Sequence, residues 1–199
     1  EGNRHVFSGL MAFEGTRADR VAPWSAGFDA ETGAMVSYTM GGKEMLKAPL
    51  MPSVTRACTE NDLGAGFDKR IFAMWRFPEF KVASFDIEQT HDCYKVNVVY
   101  SPLTRTVSMQ GSSEVQDVAV VKVCYEVYAD GTIAAVESLE DAGRLSELRS
   151  IPRFGMQLAM PDMLDTFESF RFGDLKVTNF EMEGSAIAGI AAHLGHNAG

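Results

Sequence analysis

The densest run of polar side chains in this 199-residue sequence is Arg56-Ala57-Cys58-Thr59-Glu60-Asn61-Asp62-Leu63-Gly64-Ala65-Gly66. An arginine set among carboxylate, amide and hydroxyl groups supplies the donors and acceptors that sugar hydroxyls need, so Arg56, Glu60 and Asn61 are candidate carbohydrate-binding residues. The same residue types have a second use. Thr, Asn and Asp side chains bond the backbone of their own loop, and an arginine beside them pairs with a carboxylate. Both uses are open on sequence grounds. Trp24 and Trp75 present the same choice, either stacking on a sugar ring or filling a core.

Cleavage of a glycosidic bond needs two carboxyl groups at a fixed separation, one acting as acid and the other as base or nucleophile. Glu79, Asp86, Glu88, Glu114, Glu126 and Glu137 are available, but no spacing singles out a pair, and no catalytic residue is assigned. His5, His91, His193 and His196 do not fall at ligand spacing with Cys or Asp partners, so no metal site is expected. A Gly-x-Ser-x-Gly elbow, a Walker-type loop and a dinucleotide fingerprint are all missing, and no cofactor is expected.

Composition narrows the function classes. Hydrophobic residues make up 46% and charged residues 23%, the usage of an ordinary globular domain. Against 18 basic side chains stand 27 acidic ones, a net charge of -9 that repels a phosphate backbone, so nucleic acid is not an expected partner. No apolar run approaches the ~20 residues a membrane span requires, and no basic-then-apolar leader opens the chain. A soluble protein follows as the expectation, with cytoplasm and periplasm both open. Residue 1 is Glu rather than Met, which points to a piece of a longer polypeptide. The three cysteines, Cys58, Cys93 and Cys124, are widely spaced and read as buried free thiols.

The elements that must position these groups read as β-strands over the first ~165 residues. Ser37 to Met40 and Lys43 to Leu46 flank Gly41-Gly42, a two-residue hairpin signal. Lys95 to Tyr100 alternates with period two. Val121 to Tyr128 does the same, placing Val121, Val123, Tyr125 and Val127 on one face. Asp130-Gly131 then turns the chain into Thr132 to Glu137. Phe80 to Glu88 and Thr104 to Met109 are further strand candidates. Many short strands without a helical period between them predict an all-β, antiparallel sandwich. The end of the chain differs. Asn179 caps a predicted helix with Glu181 and Glu183 in its first turn, Met182, Ala186, Ile187, Ile190 and Leu194 at helical spacing, and Gly195 as its stop.

Taken in order, Phe28 to Tyr38, Gly42 to Leu46, Arg56 to Gly66, Tyr125 to Ile133 and Ile151-Pro152-Arg153-Phe154-Gly155-Met156 resemble the C-terminal small-chain domain of glycoside hydrolase family 2 β-galactosidases, over roughly residues 20 to 162. That family carries an aromatic-Asp-x-x-x-Gly-x-hydrophobic-x-Ser run, a loop reading Asn-Phe-Trp-Arg-Ala-Pro-Thr-Asp-Asn-Asp-x-Gly, and a Leu-Pro-Arg-Ile-Gly motif. Here Val54-Thr55 replaces Phe-Trp, Cys58 replaces Pro, and Glu60 replaces Asp. The resemblance implies a supersandwich of the galactose mutarotase type, cut short of its last strands. In the family this domain packs on a separate (β/α)₈ barrel holding both catalytic glutamates, and nothing here matches that barrel. The implied role is therefore a non-catalytic accessory domain of a β-galactosidase, with the barrel as partner. The alternative is a free-standing module that binds carbohydrate, including β-galactosides, or acts like an aldose mutarotase. Apolar surface that the barrel would cover favours self-association.

From Phe167 to the end the sequence resembles a piece of uridine phosphorylase, whose Asn-aromatic-Glu-Met-Glu run is matched by Asn179 to Glu183. The resemblance implies a ribose-binding remnant at Glu181, Met182 and Glu183, without the phosphate-binding loops that phosphorolysis needs. The expected organisation is residues 1–165 as the β-domain and 166–199 as the phosphorylase-like segment, joined in a chimeric reading frame.

Overall fold

The computed structural model describes residues 3–12, 21–70, 72–76, 78–109, 111–148 and 150–161, together with the backbone of 171–172 and 175–176. The chain divides into two compact units, Glu1–Pro161 and Asp162–Gly199. The first unit is an antiparallel β-sandwich. Its strands are β1 (Arg4–Ala12), β2 (Val21–Asp29), β3 (Ala34–Met40), β4 (Lys43–Glu44), β5 (Ala48–Ser53), β6 (Val82–Gln89), β7 (Cys93–Tyr100), β8 (Leu103–Met109), β9 (Ser112–Tyr128), β10 (Ile133–Asp141) and β11 (Gly155–Ala159). One sheet runs β1-β2-β3-β5-β11, with β4 paired to β3. The other runs β10-β9-β7-β6, with β8 paired to β9.

The alternation in β9 builds the centre of the molecule. Val121, Val123, Tyr125 and Val127 all point inward and are almost wholly buried. Across the gap, Trp24, Ala26 and Phe28 of β2 meet them, and Phe28 and Tyr125 lie 5.1 Å apart, centroid to centroid. Val96, Val98 and Tyr100 of β7 complete the layer. The Tyr125 hydroxyl is buried but satisfied, donating to Leu50 O at 3.2 Å across the sandwich.

Both predicted hairpins form. Gly41 and Gly42 take φ of +59° and +79°, the left-handed values a primed two-residue turn requires. Tyr128 and Ile133 flank the Asp130-Gly131 turn, where Asp130 Oδ1 accepts from Thr132 N at 2.8 Å. That turn sets the register of β10 on β9, pairing Ile133, Ala135, Glu137 and Leu139 with the four inward residues of β9.

Four strands carry no clear sequence signal, one of them β2, whose small residues and Pro23 hide its alternation. β1 is an edge strand that leaves Val6 and Leu10 exposed, and β5 contains Pro49 and Pro52, which cannot donate to a ladder. β11 grows out of the Ile151–Met156 motif and pairs with β5 through Gly155↔Ser53 and Met156↔Pro52. Of the cysteines, all three are free thiols, yet only Cys93 is buried; Cys124 is partly exposed because it falls on the outward register of β9, and Cys58 is partly exposed in the loop ahead of the next element, at Glu60–Gly64. In the second unit, β12 (Arg171–Phe172) pairs with β13 (Leu175–Lys176). The predicted helix from Asn179, with Glu181, Met182 and Glu183, lies outside the described residues. No helix among the described residues is long and apolar enough to cross a membrane.

Candidate functional site

The polar cluster from Arg56 to Gly66 folds on itself. Thr59 caps a short helix, α1 (Glu60–Gly64), in a reciprocal box: Asp62 N donates to Thr59 Oγ1, while the Asp62 carboxylate accepts from Thr59 N at 2.8 Å and Thr59 Oγ1 at 2.9 Å. A second short helix, α2 (Phe67–Arg70), and a 3₁₀ turn at Ala73–Trp75 follow. The Arg56 guanidinium grips the same carboxylate with two N–H groups, Nη1 to Oδ2 at 2.6 Å and Nη2 to Oδ1 at 3.2 Å. Its remaining contacts are donations to Ala57 O at 2.9 Å and to Pro152 O at 2.8 Å, and its Cζ stands 5.3 Å from the centroid of the Phe72 ring.

Arg56 therefore ties the loop to the Ile151–Met156 motif, 96 residues away. The buried Asp62 carboxyl is held down at about 2, first by the Arg56 hydrogen bonds and then by Thr59 N, with desolvation working against them. Arg56 is raised in turn by its bond to Asp62. The other two candidates, Glu60 and Asn61, lie exposed on α1, and none of the clasp's hydrogen bonds runs through their side chains. Trp24 and Trp75 belong to the core, so neither ring face is open at the surface for stacking. Trp24 Nε1 donates to Ala129 O, and the Trp75 carbonyl accepts from Thr55 Oγ1.

The candidate acids are scattered by the fold. Glu79, Asp86, Glu88 and Glu114 are exposed. Glu126 bonds Lys95 Nζ at 3.1 Å and the Tyr128 hydroxyl at 2.9 Å. Glu137 is different: it faces inward from β10 opposite Val123, and neither carboxylate oxygen has a hydrogen-bond partner. Burial pushes its carboxyl up, opposed by the positive charge of Arg153. Its charge adds to the burial that already raises Tyr100 and Tyr125. The alternation of β9 and the position of the Asp130-Gly131 turn contain this information, since together they fix which residues of β10 face the core. His5 stacks on Phe85 and His91 bonds Asp92; His193 and His196 lie outside the described residues. Among the described residues, no group of three His, Cys, Asp or Glu is placed to hold a metal ion.

A cleft of about 650 Å³ opens at one end of the sandwich, between β1, the β6–β7 turn and the end of β9. Phe7, Trp24 and Tyr94 form its apolar side, and Gln89, His91 and Asp92 its polar side.

Comparison with known proteins places these features. Residues 20–174 match the family described as "Beta galactosidase small chain". The match runs beyond residue 162, into the segment that resembles uridine phosphorylase. A β-galactosidase of Halalkalibacterium halodurans is 25% identical over 146 residues, covering 73% of this chain. The aligned region is 13% of that enzyme's length, so the chain spans a small part of the curated relative it matches. The motif-bearing turns, the Arg56 clasp and the two-sheet core all lie within the matched residues, and the chain belongs to the β-galactosidase small-chain family.

Proposed function

We propose that the chain is a non-catalytic accessory domain of a family 2 β-galactosidase, built as part of a galactose mutarotase-like supersandwich and supporting a separate catalytic barrel. The observation that carries this reading is the use to which the family-like motifs are put. The Phe28–Tyr38 run makes a tight turn in which Asp29 Oδ1 accepts from Glu31 N and Asp29 O accepts from Gly33 N. The Arg56–Gly66 run bonds itself and Pro152. Asp29, Arg56, Thr59 and Asp62 of these motifs thus spend their polar groups on internal connections, which is what a scaffold requires. The test is complementation. A β-galactosidase lacking this domain is mixed with the purified chain, and hydrolysis of a nitrophenyl β-galactoside is followed. Recovery that depends on the concentration of the chain supports the reading; no recovery with a demonstrably folded chain opposes it.

A second reading, a free-standing carbohydrate-binding or mutarotase-like module, draws support from the exposure of Glu60 and Asn61 beside Arg56. Calorimetric titration with galactose and lactose separates the two, since binding abolished by Arg56→Ala belongs only to the module. Exposed Val6, Leu10, Val136 and Leu158 further support concentration-dependent self-association, readable by light scattering. For residues 167–199 we retain the reading of a chimeric frame, with Glu181, Met182 and Glu183 a ribose-motif remnant; genomic reads spanning codons 160–170 test it.

A further inference from the structure

We propose that the cleft at the β1 end of the sandwich is a binding site for a neutral pyranoside of one or two rings. The site stands apart from the Arg56 cluster and from the scaffold role. Its position follows from the strand register. Gly9 pairs with Trp24, and Phe7 of β1, Trp24 of β2 and Tyr94 of β7 line a cleft of about 650 Å³ beside that pair. That size suits a small ligand rather than a macromolecule.

The floor is fixed. Trp24 is held by its Nε1–H donation to Ala129 O at 3.2 Å, and Gly9 lets β1 lie directly on it: a Cβ there would stand 2.8 Å from Trp24 Nε1 and 3.1 Å from Ala129 O. Phe7 and Tyr94 pack at 5.1 Å between centroids, and Tyr94 remains 38% exposed, so an aromatic surface is presented to the opening. Facing it is a turn braced by Thr90, whose hydroxyl donates to Cys93 O and accepts from Cys93 N. This brace holds Gln89, His91 and Asp92 at the rim, with His91 Nδ1 and Asp92 Oδ1 2.8 Å apart and both side chains open to solvent.

The chemistry of the lining selects the ligand class. A wholly apolar ligand would strip water from Asp92, His91 and Gln89 without replacing their hydrogen bonds. An anion would meet the Asp92 carboxylate on a chain of net charge -9. A ring carrying hydroxyls on its edge and C–H groups on its face satisfies both walls. Its face lies on Tyr94 and Phe7, and its hydroxyls donate to Asp92 and exchange hydrogen bonds with Gln89 and His91.

The experiment is an amide-resolved NMR titration of the full chain with methyl β-galactoside, methyl β-glucoside and, as a ringless polyol, glycerol. Saturable millimolar shifts confined to Gln89–Tyr94, Phe7 and the Trp24 indole are expected from at least one pyranoside and not from glycerol. Asp92→Asn and Tyr94→Ala should each weaken binding at least five-fold. Glu31→Gln, an exposed turn position outside the cleft, should leave it unchanged. Asp92 is a surface residue, so its variant keeps the test valid if Tyr94→Ala folds poorly. Glycerol shifts equal to those of the pyranosides, shifts that never saturate, or binding indifferent to Asp92→Asn would overturn the proposal. Shifts centred on Glu60 and Asn61 would overturn it in favour of the Arg56 cluster.

Discussion

Replacing Gly33 with alanine tests whether the family-like run after Phe28 acts as a structural turn. Gly33 closes the β2–β3 connection at φ +68°, a left-handed backbone that costs a residue with a Cβ about 1–2 kcal/mol. A Cβ at this position would stand 2.5 Å from Val98 Cγ1 and 2.7 Å from the Tyr100 hydroxyl oxygen. Neither neighbour has room to yield: both are almost fully buried in β7, and the Tyr100 hydroxyl donates to Thr32 O in the same turn. Overpacking of a closed core adds about 1–3 kcal/mol. The sum, about 2–5 kcal/mol, corresponds to a fall in Tm of roughly 5–20 °C for a domain of this size. Gly42→Ala is the internal control, because Gly42 has φ +79° but no atom within 4 Å of the added Cβ, leaving only the backbone cost. Calorimetric melting of both variants gives the difference that belongs to the contact with β7. If Gly33→Ala melts within about 2 °C of Gly42→Ala, the turn does not seat on the core as described.

Two predictions concern buried carboxyls. For Glu137, the groups facing it are Tyr125 from β9, Tyr100 from β7 and the Arg153 charge ahead of β11, and both tyrosine hydroxyls are already donated to Leu50 O and Thr32 O. Its folded pKa lies above the ordinary 4.5, so stability is full below that value and is lost as pH rises through the folded pKa. Glu137→Gln should flatten this decline and raise stability at pH 8, because the amide stays uncharged where the carboxylate ionises. Urea melts at pH 4 and pH 8 read it, and an unchanged slope between the two proteins would count against an unpartnered carboxylate. Asp62 behaves oppositely. Its folded pKa of about 2 lies below the ordinary 3.8, so the clasp's contribution is present above 3.8 and lost as pH falls through about 2. Asp62→Asn should open α1 at neutral pH, seen as faster amide exchange over Thr59–Gly66, while equal protection in both proteins would contradict the clasp.

Much of the sandwich is legible in sequence because β9 is long, regular and buried on one face only. Its alternation names four core residues, and the Asp130-Gly131 turn then assigns the faces of β10. The same logic places Glu137 inside, although its residue type alone gives no hint. β5 is hidden by its two prolines, tolerated because it pairs with β3 at a single position and with β11 through an irregular register. β1 is hidden by outward Val6 and Leu10, which blur the alternation of inward Phe7, Gly9 and Met11. In the polar cluster, residue types alone announce an arginine–carboxylate pair. That the carboxylate is Asp62 rather than Glu60 is decided by the fold, where Thr59 caps α1 and holds Asp62 against Arg56. The bond to Pro152 joins segments 96 residues apart, and no local pattern encodes it.

The most direct measurement for the scaffold account is nitrophenyl β-galactoside hydrolysis by the purified, folded chain, alone and after addition to a β-galactosidase deprived of this domain. The account predicts a rate equal to the blank for the chain alone and restored turnover in the mixture. Turnover by the chain alone that disappears on substitution of one of its own carboxylates would contradict it.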